Sequence, residues 1–131
     1  MCVLLSGGKL VSFEGEVVDV EKELIPKMFI ARIRSSDGSY EVEMDTHSDL
    51  IVFEKGSRVL VEITRGVPDY RDGVDFVGRG TVVSKRVEGE KHATLISIGG
   101  LLFIIRTPKE LPVLPTDKVY VKVAPLGQTQ Q

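Results

Sequence analysis

Leu95-Ile96-Ser97-Ile98-Gly99-Gly100-Leu101-Leu102-Phe103-Ile104-Ile105 is the most apolar run of this 131-residue chain, and it lies inside the stretch 76–106. A helix needs about 20 apolar residues to cross a bilayer. This run is much shorter, and Arg106 closes it. It reads as buried strand, a break at two glycines, then buried strand. Glycine accepts backbone angles and close approaches that a side chain forbids, so a pair within a strand marks a bulge or a sharp corner. Gly99 and Gly100 are therefore expected to be structural, forming a corner at which a sheet curls back and closes on itself. Gly78 and Gly80, upstream in the same stretch, are expected to give a strand the slack for strong curvature.

Composition supports a strand-built protein. The chain holds 19 Val and 9 Ile but only 3 Ala. Helices favour Ala, whereas strands favour β-branched residues. The length suits one domain able to bury a real core without staples. The formal net charge is −2 and the pI is about 5.7. That balance speaks mildly against nucleic-acid binding as the main task, because phosphate neutralisation supplies most of such affinity. Cys2 is the single cysteine. It excludes an intramolecular disulfide and a cysteine-based zinc site and favours a reducing, cytoplasmic location. The apolar patch at 1–5 lacks the basic start and the length of a secretory signal.

Outward from the glycine pair, turn signals separate alternating segments. Residues 1–9 form a lead-in. A first strand spans 10–20, with Val11, Phe13 and Val17 on one parity and Gly15 permitting a bend. A second spans 28–34, with Phe29, Ala31 and Ile33 opposite Arg32 and Arg34. Asp37-Gly38 marks a hairpin turn. A third strand follows from Tyr40, with Val42 and Met44 inward and Glu41, Glu43 and Asp45 outward. Residues 46–53 read as a short helical turn or an extended connection. A fourth strand spans 58–64, and 65–75 is the longest polar loop. Strands at 76–85, 92–98, 101–106 and 118–124 complete the set, with a proline-stiffened loop at 107–117 and a polar tail at 127–131. We find no internal repeat and no domain-scale linker. Eight short, evenly spaced strands with glycine-marked bends predict an all-β, closed, mostly antiparallel barrel.

Chemistry-bearing motifs are sparse. His47, between Asp45 and Asp49, is either a metal or acid–base cluster or a solvated imidazole in a polar loop. His92 has no partner at ligand spacing. Glu41 and Glu43 sit side by side on one strand face, not opposed around a substrate. No nucleophile elbow is present, and Gly78-Arg79-Gly80 lacks the helix a dinucleotide motif needs. No catalytic, cofactor-binding or metal-ligating residue is assigned. Arg32, Arg34 and Arg79, with Lys85, Arg86 and Lys91, are expected to line one barrel face near Tyr40 and Phe76, as single-strand binders do. Aromatics at 6% of the chain make such a face weak. Leu111, Val113 and Leu114 lie in the stiffened loop, which either docks on another protein or folds over the barrel end.

The order of these features resembles a known family. Residues 40–50 followed by 53–59 resemble a strand, acidic link and basic strand segment of subunit 8 of archaeal and eukaryotic DNA-directed RNA polymerases. Asp75-Phe76-Val77-Gly78-Arg79-Gly80-Thr81-Val82 resembles that family's Tyr-Val-x-x-Gly-x-Val strand. Ser97-Ile98-Gly99-Gly100-Leu101-Leu102 resembles its Ser-Phe-Gly-Gly-Leu-Leu element, with Ile98 in place of the aromatic. Val119-Tyr120-Val121-Lys122-Val123 falls where the family has its closing strand. The short 65–75 loop is similar to the archaeal, crenarchaeal-type form. The resemblance covers about 10–126. It implies a barrel of the oligonucleotide/oligosaccharide-binding type, with no catalysis and no cofactor. It also implies a place on the outside of the polymerase, in the cytoplasm, packed chiefly on the largest subunit. The alternatives are a free-standing single-strand-binding barrel and a small enzyme whose site is unrecognised.

Overall fold

A computed structural model describes residues 8–47 and 54–126. Among them the alternating segments form eight strands: β1 Lys9–Lys22, β2 Met28–Ser35, β3 Glu41–His47, β4 Arg58–Thr64, β5 Phe76–Glu88, β6 Lys91–Ile98, β7 Leu101–Thr107 and β8 Lys118–Pro125. No helix occurs among the described residues. The strands close into one barrel in the order β1-β2-β3-β7-β6-β5-β8-β4, every neighbouring pair antiparallel. Closure removes the exposed edges that an open sheet would present to other chains. The architecture is all-β and consistent with the oligonucleotide/oligosaccharide-binding type. Thr46 and His47 belong to β3, so the 46–53 connection begins later than expected, and 48–53 lie outside the described residues. The lead-in ends before Lys9, which is already in β1; 1–7 and the tail 127–131 also lie outside them.

The ring repeats itself. Replacing β1–β4 by β5–β8 reproduces every neighbour pair in it. The match extends to the backbone. Val17 N–H donates to Ser57 O while Val17 O accepts from Gly56 N–H, both at 2.8 Å. Val82 N–H donates to Asp117 O while Val82 O accepts from Thr116 N–H, again at 2.8 Å. Register shifts follow at the same point in each half, between Val17 and Asp19 and between Val82 and Ser84. Each long strand thus takes up its second partner just before a bulge, and a bulge bends the strand that carries it.

The two glycine pairs serve different physical ends. Gly99 and Gly100 have φ of 58° and 91° and form a two-residue hairpin loop, with Ile98 paired to Leu101. Two positive φ values define the tight turn whose twist matches the flanking strands. The corner is real, but the ring closes elsewhere, at β3·β7 and β4·β8. Gly78 and Gly80 have no positive φ. They leave space: a Cβ on Gly80 would lie 2.6 Å from Ile96 Cγ2 and 2.9 Å from Ser97 O. Gly15 is the counterpart in β1, where a Cβ would lie 2.9 Å from Arg34 O. Bulges lie two to three residues beyond Gly15 and Gly80, so close packing and bulge fall on the same stretch of each long strand.

Alternation fills the interior. Val17, Ile33, Val42, Val59, Val61, Ile63, Val82, Ile96, Phe103, Ile105, Val119 and Val121 are all below 2% exposed. The loop after β7 folds across one barrel end. Leu111 and Val113 drop into the core there. Lys85 holds the loop down, its ammonium donating to Leu111 O at 3.0 Å and Val113 O at 2.8 Å and pairing with Glu110 at 2.6 Å. Charge-assisted bonds of this kind are stronger than neutral ones.

One residue of the repeat is poorly matched to its place. Thr116 has φ of 82°, where its counterpart Gly56 has 93°. A left-handed conformation costs an L-residue about 1–2 kcal/mol, and glycine returns about 0.4–1 kcal/mol of that through a freer unfolded chain. Thr116→Gly is expected to raise stability by about 0.5–1 kcal/mol, read as a higher urea midpoint at unchanged slope. A lower midpoint would show that the threonine side chain holds the loop more than its backbone strains it.

Candidate docking surface

Outward-facing charges on five strands form one connected network. Arg32 on β2 pairs with Asp19 at 3.0 Å and Glu21 at 2.9 Å on β1, and with Glu43 on β3 at 3.2 Å. Glu43 also binds Arg106 on β7 at 2.9 Å, and Arg106 reaches Glu88 on β5 at 2.7 Å. Glu88 takes Arg86 at 2.8 Å. Ala93 makes the long reach across β6 feasible. It is paired with both Arg86 and Arg106, faces outward, and is 1% exposed beneath them. Arg106 hydrogen bonds hold the Glu43 carboxyl below the ordinary carboxylate range, with help from Arg32, and do the same for Glu88. Both acids stay charged, so these guanidinium groups are already neutralised.

That arrangement separates the expected nucleic-acid face. Arg32 has three carboxylate partners, and Arg34 lies 3.8 Å from Glu41. Arg79, on β5, sits four strands around the ring from β2. Parity placed the three on the exterior, but not on one side of it. Lys85, Arg86 and Lys91 are all paired with acids. Tyr40 stacks on Phe13 at 5.0 Å between ring centroids, and Phe76 packs against the core. The described residues offer no basic strip with bases' stacking partners between its charges, the arrangement single strands need.

The apolar loop divides. Leu111 and Val113 are 5% and 3% exposed, whereas Leu114 is 67% exposed. Of the three residues expected to dock, only Leu114 presents a surface. The other two seal the barrel end.

Among the described residues no three His, Cys, Asp or Glu side chains gather around a possible metal position. Asp49, the third residue of the cluster weighed against a solvated His47, lies outside the described residues. A groove of about 520 Å³ contains Glu62, but its Oε2 is taken by Lys9 at 3.0 Å and Ser12 at 3.2 Å. No helix among the described residues is long and apolar enough to cross a membrane.

One surface was missed by the sequence reading. Leu95, Leu102 and Ile104 occupy the outward parity of β6 and β7, behind Ile96, Phe103 and Ile105 of the core. The signal was present in Leu101-Leu102-Phe103-Ile104-Ile105, which does not alternate. A one-sided strand alternates, and an apolar run marks burial on both faces.

Comparison with known proteins adds identity to this geometry. No curated protein matches the chain. Among solved structures, one similar chain is the cytoplasmic molybdate-binding protein ModG, crystallised with molybdate bound. It is 11% identical, the match covers 87% of this chain and 89% of that one, and the TM-score is 0.35. A likeness that distant carries no functional argument. The RpbG family of DNA-directed RNA polymerase matches residues 10–126, from the second residue of β1 to just past the end of β8. With all eight strands matched, the chain belongs to the RpbG family, the subunit 8 that its sequence resembles, and is a non-catalytic subunit of a DNA-directed RNA polymerase.

Proposed function

We propose that this barrel docks on the largest subunit of the polymerase, as a single peripheral module in the cytoplasm of an archaeal cell. The observation that carries the reading is the family match across all eight strands. The exterior is in keeping with it: the charges around Arg32, Glu43 and Arg106 satisfy one another, and apolar side chains remain on the outside of a closed barrel. Such a surface gains affinity from buried area, with polar groups setting register.

Tagged full-length chain, purified from its native extract with gentle crosslinking, tests the proposal. The largest subunit is expected as the main crosslinked partner. Crosslinks confined to other subunits would overturn the assignment of partner, and recovery without polymerase would overturn docking altogether. A parallel titration with single-stranded RNA and DNA is expected to show no binding in physiological salt. Sub-micromolar binding that falls steeply with salt would instead favour a free-standing nucleic-acid binder.

A further inference from the structure

We infer that the outer face of the β5–β6–β7 sheet is the docking surface, and that its occupant is a polymerase subunit with an apolar centre and carboxylates along one flank. The inference rests on the docking reading above and adds where contact is made and with what chemistry.

The face is contiguous by register. Leu95 is paired with Ile104 on one side and Ser84 on the other, and Leu102 is paired with Ser97, which is paired with Thr81. Val83, pushed out by the bulge, stands beside Ser84 and is 52% exposed; Leu102 is 37% exposed. Four aliphatic side chains on three adjacent strands, with only hydroxyls between them, form a patch of the kind that marks interaction sites.

The charges on either side differ in kind. On the β3 side, Glu43 is held by Arg106 and Arg32, and Asp45 Oδ2 accepts the Leu102 N–H at 3.0 Å. On the opposite flank, where β5 meets β8, two cations next to the patch, Arg79 and Lys118, have no carboxylate partner among the described residues. Lys118 Nζ donates to Thr81 Oγ1 at 2.8 Å, and Arg79 makes no ion pair among the described residues. The missing complement is negative charge facing Arg79 and Lys118. A second copy of this chain would bring the same apolar face, but its nearest acids, Glu43 and Asp45, are already engaged. A different subunit supplies what the face lacks.

The test uses polymerase rebuilt without this subunit and titrated with full-length chain. Three variants are compared with the natural sequence: Leu95→Thr with Ile104→Thr, Arg79→Glu, and Arg34→Glu on the remote β2 surface. Thermal unfolding confirms that each is folded. The double threonine variant is expected to incorporate at least about tenfold more weakly. Arg79→Glu is expected to lose about tenfold at low salt, a gap that narrows as salt rises. Arg34→Glu is expected to match the natural chain. If the natural chain incorporates and both face variants do so equally well, the inference fails while the docking reading stands. Equal weakening by Arg34→Glu, or a self-dimer abolished by the threonines with incorporation unchanged, overturns it too. Failure of the natural chain to incorporate removes the docking reading and the inference with it.

Discussion

Gly80→Ala is expected to cost the barrel about 3 kcal/mol, a fall of about 12 °C in Tm for a domain this size. The reason is spatial. The added methyl would meet Ile96 Cγ2 at 2.6 Å, Ser97 O at 2.9 Å and Ile98 Cγ1 at 3.0 Å. Two of those obstacles are side chains, but the third is backbone on the paired strand. Relief requires β5 to move away from β6. Gly78→Ala is the informative companion. Its closest obstacle is Ile98 Cγ2 at 2.5 Å, and the next, Phe76 Cζ, is at 3.4 Å. No backbone stands in the way. Ile98→Leu shifts the branch away from Cβ and removes that methyl. Gly78→Ala alone is expected to cost about 1–2 kcal/mol and to regain most of it with Ile98→Leu. Gly80→Ala with Ile96→Leu is expected to stay near the cost of its single changes, because Ser97 O remains. Denaturant midpoints for the two double-mutant cycles decide the matter. A Gly80→Ala protein within about 0.5 kcal/mol of the natural one would show that β5 and β6 have slack the backbone geometry denies.

These glycines also show where a linear reading stops. Residue type announced that backbone was special at 78, 80, 99 and 100, but not why. At 99 and 100 the reason is φ, which two consecutive residues determine and a sequence can signal. At 78 and 80 it is the distance to β6, which exists only once strands have paired. The bulges at Val18 and Val83 carry no marker at all, being valines among valines. For the same reason the internal two-fold went unseen. Gly15 and Val17 answer to Gly80 and Val82, and Gly56 to Thr116, too few identities to register as a repeat. Side-chain parity was legible up to the bulges, since it depends on neighbours two residues away; past the β5 bulge it reverses, and Lys85, expected on the outer face, pairs with inward-facing Thr94. It put Arg32, Arg34 and Arg79 outside correctly. Which side of the ring they occupy depends on strand order, a long-range property that separated β2 from β5. The loop at 107–117 offered two readings, and Lys85 settles it for Leu111 and Val113 by gripping their carbonyls. The outer apolar face was in plain view, but a run buried on one side and apolar on the other looks like a run buried on both.

Phe103→Ala is expected to be the most damaging single change, lowering stability by about 3–5 kcal/mol and Tm by about 12–20 °C. Phe103 is 1% exposed and heads the fully buried side chains by volume. Its strand partners are Met44 on β3 and Ile96 on β6, so it bridges the junction where the two halves of the ring meet. Closed strands cannot collapse into the void as a loop could, and the cavity cost should sit toward the upper end of that range. Ile104, its outward neighbour, makes the contrast. Ile104→Thr removes apolar surface from the exterior and is expected to change the stability of the free chain by less than about 1 kcal/mol. The pair therefore separates folding from docking. With the face intact, Phe103→Ala protein should still enter the polymerase at temperatures where some of it remains folded. Saturating partner would then add the same increment to it as to the natural chain, about 2.7 kcal/mol at one hundred times Kd. Ile104→Thr should do the reverse, folding normally and gaining less from the partner. Calorimetry of each variant, free and with the rebuilt polymerase, reads both quantities. A Phe103→Ala chain within about 1 kcal/mol of the natural protein would mean that the core is not centred where β3 meets β7.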